Sequence, residues 1–338
     1  MIKSIPGLFS TSIGIDLGTA NVLVYVKGRG VIMNEPNVVT IDSKTRRPIA
    51  VGADAKKMLG LAPQGIEVLR PMRNGVITEF EVSEHMLRYF IKKAGQHSWL
   101  THLTVVIAVP YGITQVEERA VKDSAFRAGA QSVQLIPEPI ASALGAGLPV
   151  GESEASMIVD IGGGTAEIAV LSLGGIVIAR SIRVGGDEFD RSIVSYVKDA
   201  YGLFIESRTA EQIKIQIGSA YPLDQELTME IRGRDSVSGL PRAQTVNSTE
   251  IREALRHNFD EIILGIQKAL EVCPPESAGQ LYDRGAALAG GGALIRGIDR
   301  LLTDKIKIPF FVAEDPLACV VNGTGVILEN SRWSSIQR

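Results

Sequence analysis

Two short stretches of the chain pair an aspartate with a glycine turn. Ser12-Ile13-Gly14-Ile15-Asp16-Leu17-Gly18-Thr19-Ala20 is echoed by Met157-Ile158-Val159-Asp160-Ile161-Gly162-Gly163-Gly164-Thr165-Ala166, the two aspartates standing 144 positions apart. An alternating apolar run follows each copy: Val22, Val24 and Val26, then Ile168 and Val170. Where no Cβ intrudes, backbone N–H groups can close on an anion. Gly18, Thr19, Ala20 and Asn21 in the first turn, and Gly162, Gly163, Gly164 and Thr165 in the second, are therefore candidate phosphate contacts. Asp16 and Asp160 would repel that phosphate unless a cation intervened, and carboxylates beside retained waters are what Mg2+ prefers. A magnesium-bound nucleotide satisfies both sets of groups. A lone Asp-Gly turn more often does no more than close a hairpin. The repetition argues instead for two related lobes, each giving one turn to a shared cleft.

Further candidates lie outside the repeat. A Walker A loop needs Gly-Lys-Ser/Thr at the start of a helix, and a dinucleotide fingerprint needs its glycines between strand and helix. Here a second strand follows each turn and neither turn holds a lysine. Gly290, Gly291, Gly292, Ala293 and Leu294 follow an apolar strand and open a helical pattern, so this helix start is expected to face the α-phosphate or the nucleoside, unless it is only a tight packing turn. Glu211, Gln212, Ile213 and Lys214 begin a segment with a capping-box pair, Thr209 and Gln212; Glu211 is placed to hold ribose hydroxyls and Lys214 a base edge, the alternative being an ordinary solvated helix face. In Ile136-Pro137-Glu138-Pro139, proline at a helix start puts Glu138 at the cap. One rigidly held carboxylate can position the water that attacks a phosphoanhydride.

The elements that carry these groups alternate in the α/β manner. Ser12–Ile15, Val22–Val26, Val38–Ile41, Leu103–Val109, Met157–Val159 and Ile168–Leu171 read as strands. Ser83 stands at an N-cap before a stripe of Met86, Leu87, Phe90, Ile91 and Ala94, with Gly95 at the exit. Thr114 with Glu117 forms a second capping box, and a long helix is expected from Thr249 to Val272, stopped by Pro274-Pro275. With 338 residues, about two domains are expected. A net charge of −3 leaves no cationic field for nucleic acid. No apolar stretch reaches the roughly 18 residues of a membrane span, and the N-terminus, broken by Pro6, does not read as a secretory signal. Two cysteines, Cys273 and Cys319, without metal-ligand spacing point to a reducing cytoplasm and no structural zinc.

The two phosphate turns, the Gly290–Leu294 loop and the segments Glu138–Gly147 and Gly323–Leu328 together resemble the actin, Hsp70 and sugar-kinase superfamily. The match narrows with Gly14–Asn21, Asn34-Glu35-Pro36, Arg70-Pro71, Gly75-Val76-Ile77, Asp160–Thr165, Ile217-Gly218-Ser219-Ala220-Tyr221-Pro222, Arg232-Gly233-Arg234 and Gly290–Leu294. On these the chain resembles the MreB/Mbl family of bacterial actins from residue 12 to 328. The resemblance implies an α/β actin-like ATPase fold of two related lobes, four subdomains in all, around a nucleotide cleft. Domain I is expected at 1–140 plus 313–338, with subdomain IB at about 30–66; domain II is expected at 141–312, with subdomain IIB at about 184–246. The resemblance further implies ATP and Mg2+ as cofactors, the metal near Asp16 and Asp160. It makes the two turns phosphate contacts, Glu211–Lys214 and Gly290–Leu294 nucleoside contacts, and Glu138 with Thr165 the pair that positions the attacking water. Ala166 stands where many relatives have a second threonine.

Function follows from the same resemblance: a cytoskeletal homopolymer of paired protofilaments, with weak ATPase activity and no metabolic reaction. It would lie on the inner face of the cytoplasmic membrane with the membrane proteins of cell-wall elongation, and determine rod shape. Leu8 and Phe9, or Trp99 and Leu100, are candidate membrane contacts. A small-molecule phosphotransferase on the same fold is the rival reading, and would need an acceptor pocket. An Hsp70-like chaperone is disfavoured because the chain ends about ten residues after the last cleft element.

Overall fold

The computed structural model describes residues 10–73, 76–94, 102–330 and 333. The chain divides into two compact units, Met1–Gly151 with Ala318–Arg338, and Glu152–Leu317.

In the first unit β1 (Ser10–Leu17), β2 (Asn21–Val26) and β3 (Gly30–Pro36) form an antiparallel meander. β4 (Val39–Asp42), β5 (Pro48–Val51), the short α1 (Ala53–Lys56) and β6 (Ile66–Leu69) follow, the strands making a separate small sheet ordered β5-β4-β6. The expected subdomain IB at about 30–66 is corrected here, because β3 hydrogen-bonds to β2 and so belongs to the main sheet. After β7 (Met72–Arg73) and β8 (Val76–Ile77) come α2 (Phe80–Ala94), β9 (His102–Val109), α3 (Gln115–Arg127), β10 (Ser132–Pro137) and α4 (Glu138–Gly145). The main sheet runs β3-β2-β1-β9-β10, with β1, β9 and β10 parallel. β9 is a near-continuous apolar run, as a strand covered on both faces must be, and β1 is buried from Ile13 onward. Ile13, Ile15, Val105 and Ile107 pack with Met86, Leu87, Phe90 and Ile91 of α2.

The second unit repeats that plan. β11 (Ser156–Ile161), β12 (Ala166–Ser172) and β13 (Gly175–Ile182) form the meander. α5 (Gly186–Tyr201), β14 (Leu203–Phe204), α6 (Ser207–Ile217), β15 (Thr228–Asp235) and β16 (Pro241–Asn247) make the excursion, with a small sheet ordered β14-β15-β16. α7 (Ser248–Glu271), α8 (Pro275–Arg284), β17 (Ala286–Ala289), α9 (Ile298–Ile306) and β18 (Phe310–Val312) complete the unit. Its main sheet runs β13-β12-β11-β17-β18, with β11, β17 and β18 parallel. Strand order and strand sense therefore match the first unit position for position. The core holds Ile158's neighbours Met157 and Val159 with Phe189, Phe259, Ile262 and Ile266.

α10 (Cys319–Glu329) returns to the first unit. It packs on α4 at backbone distance: a methyl group on Gly145 would lie 1.8 Å from Cys319 O, and one on Gly323 1.8 Å from Ala141 O. Glycine is obligatory at both positions. This packing corrects the expected domain boundaries, since a cut at 140/141 would divide α4, and the units part at Gly151 and Leu317 instead.

Helix starts differ from the sequence reading in instructive ways. The Thr114–Glu117 capping box forms as expected, and α7 has a second box, Asn247 with Glu250. α2, however, begins at Phe80, so Ser83 is an interior residue whose N–H bonds to Glu79 O at 2.9 Å. α6 begins at Ser207 and Thr209 N already bonds to Glu206 O at 2.9 Å, so Thr209 caps nothing.

Candidate functional site

Each unit carries one half of the expected constellation at the C-terminal ends of its parallel strands, where ligands of open α/β sheets bind. In the first unit Asp16, Ala108 and Ile136 are in register across β1, β9 and β10. Asp16 and Glu138 thus lie at the same sheet edge, two strands apart, on the order of 10 Å. Pro137 is the helix cap and Glu138 the first residue of α4, one place further in than expected; Glu138 is half-buried. An acid here is favoured by the helix dipole. Asp16 and Thr19 are buried, Gly18 and Asn21 half-buried and Ala20 exposed.

A residue the sequence reading passed over fixes this turn. Asn37 is 1% exposed; its Nδ2 donates to Gly18 O at 2.7 Å and its backbone N–H to Ala20 O at 2.8 Å. Asn37 thereby binds two carbonyls of the turn, those of Gly18 and Ala20. The signal was available, since Asn37 directly follows the motif Asn34-Glu35-Pro36.

In the second unit Gly162 N closes the turn onto Thr165 O at 2.8 Å. The carbonyls of Gly162 and Gly163 then accept from Gly186 N at 3.0 Å and Asp187 N at 2.8 Å, the opening N–H groups of α5. With its carbonyls occupied, the turn is held from behind. Asp160, the penultimate residue of β11, is in register with Ala289 of β17. Gly290 follows with φ +77°, where a methyl group would lie 2.4 Å from Asp160 Oδ1, so only glycine lets the chain pass the carboxylate. Asp160, the Gly162–Thr165 turn and Gly290 therefore converge.

The residues after Gly290 form a single 3-10 turn, Gly291–Leu294, and α9 starts only at Ile298. The expected helix N-terminus is absent at Gly290: Gly290 and Gly297, both with positive φ, bracket the 3-10 turn, and the α-helix is entered only after Gly297. Leu294 is 54% exposed, whereas Ala293 is buried at 2%. Ile213 is likewise fully buried, in the unit's core, so its side chain cannot face a nucleoside. Glu211 and Gln212 lie at the outer part of mid-α6, not at a helix start.

A model of the MreB/Mbl protein family matches residues 10–336. The chain belongs to the MreB/Mbl family. It is 51% identical over 334 residues to the cell shape-determining protein MreB of Escherichia coli strain K12, covering 97% of this chain and 96% of that one. It is 46% identical over 323 residues to the cell shape-determining protein Mbl of Bacillus subtilis strain 168, covering 96% and 97%. Crystallised MreB5 of Spiroplasma citri bound to ADP superposes with a TM-score of 0.91 at 39% identity, over 96% of this chain and 98% of that one; its AMPPNP complex gives 0.91 at 38%, with the same coverage. The MamK double helical filament shares the fold at TM-score 0.82 and 22% identity, over 95% and 99%. The fold is actin-like.

Within this MreB/Mbl chain, Lys214 is not available as expected. Its Nζ lies 2.7 Å from Asp190 Oδ1 and donates to Gly186 O at 3.0 Å, latching α6 to the start of α5 behind the second phosphate turn. Burial pushes the Asp190 carboxyl above its usual range and Lys214 opposes that shift. Ala166 is fully buried at the start of β12, its position filled by packing. The membrane candidates Leu8, Phe9, Trp99 and Leu100 lie outside the described residues, as does Gly95. Among the described residues no helix is long and apolar enough to cross a membrane, and no group of three His, Cys, Asp or Glu side chains converges to hold a metal.

Proposed function

We propose that this chain is an ATP-dependent cytoskeletal protein that assembles into filaments and determines cell shape. The observation that carries the reading is the duplicated half-site: an aspartate at a strand end, then a glycine turn, at the same place in two sheets of matching order. The nucleotide complexes of Spiroplasma citri MreB5 and the names of the MreB and Mbl relatives support it.

Gly18–Asn21 and Gly162–Thr165 bind the phosphates, and Glu211 with the Gly290–Leu294 turn takes the nucleoside. Asp16 and Asp160 fit Mg2+ that arrives on the nucleotide, since that ion keeps its waters and asks for few protein ligands. The metal supplies charge neutralisation. Glu138, with Thr165, orients the attacking water, and the resulting hydrolysis is slow and coupled to assembly. Filaments of paired strands lie on the inner face of the cell membrane through Trp99 and Leu100 or through Leu8 and Phe9, beside the proteins of wall elongation; each full apolar side chain inserted contributes about 1.5 to 3 kcal/mol, multiplied by filament avidity.

Glu138→Ala tests the hydrolytic arm. The variant should bind ATP with wild-type affinity but release phosphate at least about a hundredfold more slowly; wild-type turnover would remove Glu138 from the role. For the membrane arm, filaments of the double variant Trp99→Ala, Leu100→Ala should fail to co-sediment with anionic vesicles, and undiminished binding would assign the contact elsewhere.

A further inference from the structure

The segment Ile217-Gly218-Ser219-Ala220-Tyr221-Pro222 has no part in the site described above, yet it is held from two sides. Ser219 bridges Arg296 in parallel, and Ala220 N donates to Arg296 O at 2.8 Å. The Arg296 guanidinium, through Nη1, donates to Ile215 O and Gly218 O at 3.2 Å each, carbonyls at the C-terminal end of α6. A cation is favoured at a helix C-terminus, and one guanidinium nitrogen with its two N–H groups reaches both carbonyls. Gly297, with φ +74°, lets the chain pass Tyr221; a methyl group there would lie 2.5 Å from Tyr221 Cβ. From the opposite side Arg252 Nη1 donates to Ser219 Oγ at 2.7 Å and to Tyr221 O at 2.9 Å.

Arg296 stands two residues beyond the Gly291–Leu294 turn and grips α6 one helical turn after Glu211. The two segments assigned to the nucleoside are therefore joined through one side chain. We infer that Arg296 is a positioning residue for the nucleoside: by tying the end of α6 to the segment that leaves the glycine turn, it sets the spacing between Glu211 and that turn. Resting on the nucleotide reading above, the inference predicts a defect confined to the nucleoside half of the ligand, because both phosphate turns are held by other contacts.

Calorimetric titration of the full chain with Mg-ATP and with magnesium tripolyphosphate separates the halves. Arg296→Ala should weaken Mg-ATP about tenfold, as loss of charged hydrogen bonds would, while tripolyphosphate affinity stays unchanged. Arg296→Lys should restore most of the ATP affinity. Arg296→Gln carries the same test should the alanine variant fail to fold. Wild-type ATP affinity in the variants, or a proportionate loss of both ligands, would overturn the inference while leaving the nucleotide reading intact. A wild-type chain that binds neither ligand would overturn both.

Discussion

Lys214 illustrates how a side chain's partner decides its role. A lysine in Glu-Gln-Ile-Lys reads as a ligand contact, but its side chain is only 15% exposed and is committed to Asp190, itself 11% exposed. Removing one member of such a pair strands the other charge. Lys214→Met should therefore cost about 3 kcal/mol of unfolding free energy at neutral pH. Burial already raises the Asp190 pKa and loss of Lys214 raises it further, so the deficit should shrink as pH falls through that raised folded-state pKa towards the usual carboxylate range, and vanish below it. Urea denaturation at several pH values checks this; unchanged stability with weakened ATP binding would return Lys214 to the ligand. Asn37 shows the converse. Its identity alone says little, and its role became legible only when burial and two bonds to the Gly18 and Ala20 carbonyls placed it behind the first phosphate turn.

At the scale of elements, strands were legible from short continuous or alternating apolar runs, and β1, β2, β9, β11 and β12 enclose the stretches expected of them. Helix starts were legible where a side chain does the capping, as at Thr114. They were not where the preceding residues had already entered the helix, as at Ser83 and Thr209: the three-residue spacing occurs inside helices too, and only backbone bonds tell the cases apart. The Gly290 cluster misled for a related reason, since glycine marks a turn without saying whether an α-helix or one 3-10 turn follows. Contacts between elements were out of reach altogether. The start of α7 is one: Arg252 and Ser248 both bond to Glu226, and Arg252 first, then Ser248, hold that carboxyl down at about 2, from an ordinary 4.5. A lowered carboxylate contributes stability that is present above its unfolded pKa and lost as pH falls towards the folded one. Thermal unfolding between pH 4.5 and 2 should lose part of its acid dependence in Glu226→Gln, whereas an identical acid limb would show the contact contributes nothing.

At the scale of the molecule, the internal repeat foretold the main result. Two Asp-Gly turns predicted two related lobes, and each unit does carry a five-stranded sheet of the same order and sense. The domain limits were less legible, because α10 rejoins the first unit through glycine contacts with α4 that lie 178 positions apart in sequence, from Gly145 to Gly323. Assembly in response to nucleotide is the central claim of the proposed function. The direct measurement is electron microscopy of the purified chain on a lipid monolayer, with Mg-ATP and without nucleotide, beside Asp160→Ala. Paired filaments lying on lipid only with Mg-ATP, and missing in the variant, are the predicted result. Dispersed particles under every condition, or filaments indifferent to nucleotide and to Asp160, would contradict it.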